Sequence, residues 1–161
     1  MHSDEKEREL KFAADRMLGR LTRWLRLFGY DTYYSPEATP GQIIYIATKE
    51  NRVLLTRRKK TCELLKTNCF LIKSSKLGKQ IKELMDRFDI STDITYARCS
   101  LCNSIIKPIE KRFVKSEVPE YTYITHEQFY ICSGCHKIYW KGTHQQRAEA
   151  SLRRFLQDED T

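Results

Sequence analysis

Lys11-Phe-Ala-Ala-Asp15-Arg-Met-Leu-Gly-Arg20-Leu-Thr-Arg-Trp-Leu25-Arg-Leu-Phe-Gly-Tyr30 carries two structural periods. The segment from Lys11 to Ala14 reads as a short buried strand that ends at Asp15. From residue 16 the spacing changes: Met17, Leu18, Leu21, Trp24, Leu25 and Phe28 recur at three and four residues and share one face of a helix. Arg16, Arg20, Arg23 and Arg26 fall on the other face. Gly29 tolerates the left-handed geometry of a helix stop, and residues 30–34 then read as a second strand.

The same alternation continues outward. Pro36 and Pro40 mark a loop, and a helical pattern over residues 42–50 follows, built on Ile43, Ile44, Ile46 and Ala47. Arg52-Val-Leu-Leu-Thr56 is an apolar, β-branched strand, and the basic run Arg57-Arg58-Lys59-Lys60 comes directly after it. A short helix over 61–66, a strand over 69–72 and a helix over 77–88 on Leu77, Ile81, Leu84 and Phe88 complete this half. Strands alternating with helices imply a parallel sheet covered by helices, an α/β domain over residues 10–92.

Beyond residue 91 the pattern changes to cysteine pairs separated by aromatic and β-branched segments, a second, β-rich module over residues 93–147. A helical tail over 148–161 carries a weak apolar stripe of Ala148, Leu152, Phe155 and Leu156. The cysteines define the module's chemistry. Cys99-Ser-Leu-Cys102 and Cys132-Ser-Gly-Cys135 are two Cys-x-x-Cys knuckles with 29 residues between them, and together they offer four thiolates for tetrahedral ligation. Such a set suits zinc or an iron centre; short strands between paired knuckles favour zinc in a zinc ribbon. A closed Cys₄ shell leaves no position for water, so this zinc is expected to be structural. His136 and His144 lie nearby as spare imidazoles that the four thiolates make unnecessary. Cys62 and Cys69 fall outside the set and are expected to pack as ordinary apolar residues.

Composition narrows the partners. Lys and Arg number 29 against 21 Asp and Glu in 161 residues, a formal charge of +8 with a pI near 9.2, which favours polyanions and nucleic acid first among them. Residues 1–9 are charged and lack the apolar core of a secretory signal, and no apolar run approaches the ~20 residues of a membrane span. Six cysteines without an export signal read as thiols or metal ligands rather than disulfides. The chain therefore reads as a soluble intracellular, cytoplasmic protein with no membrane partner. Around the knuckles, Arg98, Lys137, Tyr139, Trp140 and Lys141 mix cations with aromatics. This set either stacks on bases while neutralising phosphates, or packs the two rings against the ribbon.

In open parallel sheets the functional crevice lies beyond the carboxyl ends of the strands. Here those ends carry Asp15, the Pro36-to-Gly41 loop and Arg57-Arg58. A nuclease using Mg²⁺ or Mn²⁺ would gather several carboxylates there, since hard cations need oxygen ligands. Asp15-Arg-Met-Leu-Gly-Arg-Leu with Trp24-Leu-Arg-Leu and Gly29-Tyr-Asp-Thr, then Arg52-Val-Leu-Leu-Thr-Arg57, Arg98-Cys-Ser-Leu-Cys-Asn103, and Cys132-x-x-Cys with Tyr139-Trp140-Lys-Gly-Thr-His144, resemble the Mut-seven C-terminal RNase family. The likeness covers residues 11–147. It implies a PIN-like nuclease fold followed by a zinc ribbon, with acids binding Mg²⁺ or Mn²⁺ at the carboxyl edge of the sheet. Asp15 aligns with the first of these acids. The second is expected where this chain has Pro40 and Gly41, and the third where it has Arg58.

An Asp-to-Arg difference changes local charge by two units, and Arg57, Lys59 and Lys60 surround the position. Glu37 and Glu63 are the available substitute acids. The leading expectation is a catalytically degenerate, PIN-like RNA-binding protein in which Arg16, Arg20, Arg23, Arg57, Arg58, Lys59 and Lys60, with Lys137, Trp140 and Lys141 of the ribbon, engage an RNA. That RNA is expected to be rRNA or tRNA within a ribonucleoprotein such as a ribosomal particle. The alternatives are an active Mg²⁺- or Mn²⁺-dependent ribonuclease using Asp15 and a substitute acid, and a protein-interaction adaptor docked through the ribbon.

Overall fold

The computed structural model describes residues 10–157, with the side chains of Thr143 and His144 excepted. The charged segment 1–9, the end of the tail at 158–161 and the spare imidazole of His144 therefore lie outside the described residues. Strands β1 (Phe12–Ala14), β2 (Thr32–Tyr34), β3 (Val53–Thr56) and β4 (Cys69–Leu71) form one sheet in the order β2-β1-β3-β4. Every pair is parallel, with Ala13 opposite Tyr33 and Leu54. Helices α1 (Gly19–Leu27), α2 (Pro40–Lys49), α3 (Lys59–Leu65) and α4 (Leu77–Phe88) connect and cover it.

Period-two alternation divides the apolar residues between two faces. Phe12, Ala14 and Leu55 join Leu18, Leu21, Leu25, Ile81 and Leu84 in the larger core, while Ala13 and Leu54 meet Ile43 and Ala47 of α2 on the other side. A 3-10 turn at Arg16–Leu18 precedes α1 and alters the helical phase. As a result Met17, expected on the buried face, is 48% exposed. Gly29 takes φ 95°, the left-handed stop expected of it.

Strands β5 (Ile106–Ile109), β6 (Phe129–Cys132) and β7 (Ile138–Tyr139) form a second, antiparallel sheet, with α5 (Glu120–Thr125) between β5 and β6. Helix α6 (Thr143–Gln157) returns to the first core. It seats Leu152 there, and Phe155 meets Trp24 edge-to-face with ring centroids 5.9 Å apart. Among the described residues no helix is long and apolar enough to cross a membrane.

Cys62 and Cys69 are joined by a disulfide, which corrects the reading of both as unbridged packing residues. The turn between α3 and β4 places Lys66 and Asn68 at positive φ and reverses the chain, leaving the two Cα atoms 5.3 Å apart, within bridging range.

Candidate functional site

The two cysteine knuckles share one backbone construction. Cys99 N–H donates to Ser104 O and Asn103 N–H to Cys99 O, both at 2.9 Å; Cys132 N–H donates to Lys137 O at 2.9 Å and His136 N–H to Cys132 O at 3.1 Å. The residue after each second cysteine is left-handed, Asn103 at φ 72° and His136 at φ 63°. Gly134 is required in the second knuckle because a Cβ there would collide with the Ser104 side chain.

These turns bring the Sγ atoms of Cys99, Cys102, Cys132 and Cys135 within 4.8 Å of one another. Cys99 and Cys135 are 3.8 Å apart, and Cys102 and Cys132 are 3.3 Å apart. Thiolates held tetrahedrally at about 2.3 Å from a zinc ion stand about 3.8 Å from each other, so donor type and spacing both fit a metal such as zinc. Burial opposes ionisation of Cys102, but hydrogen bonds from Ser104 and the neighbouring thiols overcome it and bring its pKa down to about 6. A backbone hydrogen bond from Lys137 favours the Cys135 thiolate, yet burial and the other thiols push it up to about 11. The Cys102 thiolate forms readily while that of Cys135 resists, the condition a cation relieves. Tyr139 Oη lies 2.9 Å from Cys99 Sγ, where its hydroxyl can support a metal-bound thiolate.

The carboxyl edge of the first sheet is built differently. Asp15 follows β1 and is 5% exposed. Its Oδ1 accepts the Arg16 N–H at 2.6 Å, and its Oδ2 accepts the Thr56 hydroxyl at 2.8 Å. Arg58 Nε approaches the same Oδ2 at 3.8 Å, and the Arg58 N–H donates to Thr56 Oγ1 at 3.0 Å. Pro40 and Gly41 occupy the first turn of α2, where Thr39 accepts the Gln42 N–H in a capping box. Glu37 and Glu63 are exposed. Among the described residues, neither joins Asp15 in a group of three metal-ligating side chains.

The cations expected to meet RNA fall into three places. Arg20 and Arg23 line a groove of about 510 Å³ with Tyr34, Pro36 and the knuckle residue Leu101, and exposed Arg16 lies just before it in the chain. Arg57, Lys59 and Lys60 are exposed around Arg58, and Arg57 donates to Lys73 O at 3.4 Å. In the ribbon, Lys137 Nζ lies 5.2 Å from the Tyr139 ring centroid, Lys141 Nζ lies 5.7 Å from that of Tyr96, and Trp140 packs against Phe129 at 6.5 Å.

A polar lock between the two modules went unrecognised in the sequence. Arg26, expected on the solvent face of α1, is 5% exposed. It donates to Thr32 O at 2.9 and 3.1 Å, and to the knuckle carbonyls of Ser100 and Leu101 at 3.2 and 3.1 Å. Asn103 accepts the Thr32 N–H at 3.0 Å and donates to Asp31 Oδ1 at 2.7 Å. Asp31 also pairs with Arg52 at 2.8 Å and lies 3.7 Å from Arg98. Burial works to raise the Asp31 pKa, but hydrogen bonds from Arg52 and Asn103 and the positive charge nearby hold it below the ordinary carboxylate value. Asp31, Arg52, Arg98 and Asn103 all lie in the motifs that carry the family likeness, which was the available signal.

A helix-covered parallel sheet joined to a small antiparallel sheet with a four-cysteine cluster defines an α/β protein with the arrangement of a zinc ribbon. More narrowly, the chain belongs to the Mut7-C RNAse domain family, whose model matches residues 10–152. No curated protein and no solved structure matches it. Family and cysteine cluster together fit an RNA-related zinc-ribbon protein.

Proposed function

We propose that this chain binds RNA through a basic sheet edge that has replaced a metal-binding acidic one, and that its four cysteines hold a structural zinc. The observation that carries the reading is Asp15: both carboxylate oxygens accept internal hydrogen bonds, and the Arg58 guanidinium stands across one of them. A divalent cation arriving there would meet Arg58 with Arg57, Lys59 and Lys60 around it, whereas a phosphate would meet complementary charge. The protein then acts as a binder within an RNA or ribonucleoprotein assembly, a ribosomal particle being the assembly its size and charge suggest. The domain division at residues 92 and 147 is part of this reading, the first unit supplying the cleft and the second the metal-supported ribbon.

The test is RNA affinity as a function of salt. Counterion release makes log K fall linearly with log salt, and each phosphate-contacting cation removed should lower the magnitude of that slope by about one. Arg58→Ala and Arg57→Ala are expected to weaken binding and flatten the slope, with no dependence on Mg²⁺. Cleavage of the co-purifying RNA that requires Mn²⁺ or Mg²⁺ and vanishes in Asp15→Asn would overturn the reading in favour of an active nuclease.

A further inference from the structure

A cavity of about 220 Å³ lies between the ribbon and α6, and none of the strand-edge cations lines it. Its aromatic walls are Tyr96, Tyr139 and Trp140, with Ile94 and Ile106 among the aliphatic residues beside them. Each ring is half-buried and held by its own contacts. Tyr96 stacks on Tyr130 with centroids 5.6 Å apart and an interplanar angle of 15°, and its hydroxyl donates to Trp140 O at 3.2 Å. The Tyr139 hydroxyl meets Cys99 Sγ, and Trp140 rests against Phe129. Walls fixed in this way lose little freedom when a ligand enters.

Charge and size select the ligand. Arg98 and Lys137 line the cavity, Lys141 lies against the Tyr96 ring, and no carboxylate is among the described lining residues, although Glu149 acts on Tyr96 from α6. Gln145 at the start of α6 brings a side-chain amide to the same wall. The volume is below the ~300–1,000 Å³ of a drug-sized pocket and suits one planar ring system. Aromatic walls beside cations, with an amide whose Oε1 accepts from Tyr96 and whose Nε2 donates to Glu149, match a base attached to a phosphate.

We propose that this cavity receives a single unstacked nucleobase of a bound RNA, with Lys137 and Lys141 taking the adjoining phosphates. The proposal rests on the RNA-binding reading above and names its substrate class, an RNA presenting an unpaired nucleotide in a loop or bulge. Such a base costs little to extrude, which a paired one does not.

The experiment uses the full, zinc-loaded chain in ¹H–¹⁵N NMR titrations with each of the four ribonucleoside 5′-monophosphates, with inorganic phosphate and N-acetyl-phosphotyrosine amide as comparison probes. With at least one nucleotide, the Trp140 indole and Gln145 side-chain amide signals should move saturably, beyond anything phosphate produces, while the Trp24 indole stays in place. Gln145→Ala and the cavity-filling Ala148→Leu should each weaken this binding about fivefold or more. The proposal is overturned if all four nucleotides act no differently from phosphate, if only the phosphotyrosine compound binds, or if Ala148→Leu binds nucleotide as the unaltered chain does. RNA binding that depends on Arg58 without any nucleotide response refutes the cavity alone. A nucleotide response with Arg58-independent RNA binding refutes the strand-edge reading alone.

Discussion

Asp31 concentrates more of the structure's polar energy than its place in a three-residue strand approach suggests. Its carboxylate accepts from Arg52 and Asn103 and lies near Arg98, so removing it takes this counter-charge from Arg98 and leaves Arg52 with Glu50. Asp31→Ala is expected to destabilise the fold by about 2–3 kcal/mol, read by urea denaturation. The pH dependence follows from the depressed Asp31 pKa. A carboxylate whose folded pKa lies below its unfolded value, near 3.9, adds stability that is fully present above that value and is lost as pH falls through the folded one. Thermal midpoints measured from about pH 6 to pH 2 should therefore fall less steeply below about pH 4 in Asp31→Asn than in the unaltered chain. Asp15 was legible as the residue that ends the first strand. Arg26 was not: helical spacing assigns a residue to a face of its own helix, and says nothing of a distant knuckle that later covers that face.

Among elements, α6 shows how a weak sequence signal can mark a strong contact. The stripe of Leu152, Phe155 and Leu156 was readable, but its target was not, because the core it completes is formed by residues between Phe12 and Ile90, far earlier in the chain. Leu152 is 7% exposed within that core, so Leu152→Ala should cost about 2–4 kcal/mol, measured as a shift in denaturant midpoint at constant slope. The four parallel strands were legible because each is a short apolar run next to a helix-period segment. The link between α3 and β4 was missed for a related reason: spacing alone did not reveal that a tight turn would bring Cys62 against Cys69. Thiol titration of unfolded, metal-stripped protein is expected to find four reactive groups without reductant and six with it. Reduction should lower stability by about 2–3 kcal/mol, the chain-entropy value for so short a loop.

At the scale of the whole molecule, the four-cysteine cluster and the sheet are mechanically joined. The carbonyls of Ser100 and Leu101, between Cys99 and Cys102, accept from Arg26, and Arg26 also grips Thr32 O in β2. Asn103, directly after Cys102, holds the other polar group of the same Thr32 backbone. A knuckle that loses its metal would have four thiols crowded within 4.8 Å and no cation to hold them, so its turn would open and withdraw the partners of Arg26 and Thr32. Arg26 would then be a charge left partly buried, a costly arrangement the fold can escape only by loosening α1 against β2. Chelation is therefore expected to weaken the α/β half as well as the ribbon, even though no cysteine ligand lies in it. Trp24 reports on that half through its packing against Phe28 and Phe155. Its near-ultraviolet and fluorescence signals, read in a Trp140→Phe background, should shift when zinc is removed and return when it is restored. Acidification should act in the same direction, because protons compete with the metal for the thiolates. A Trp24 signal that stays constant while the ribbon unfolds would mean that the Arg26 and Asn103 contacts join the modules without coupling them.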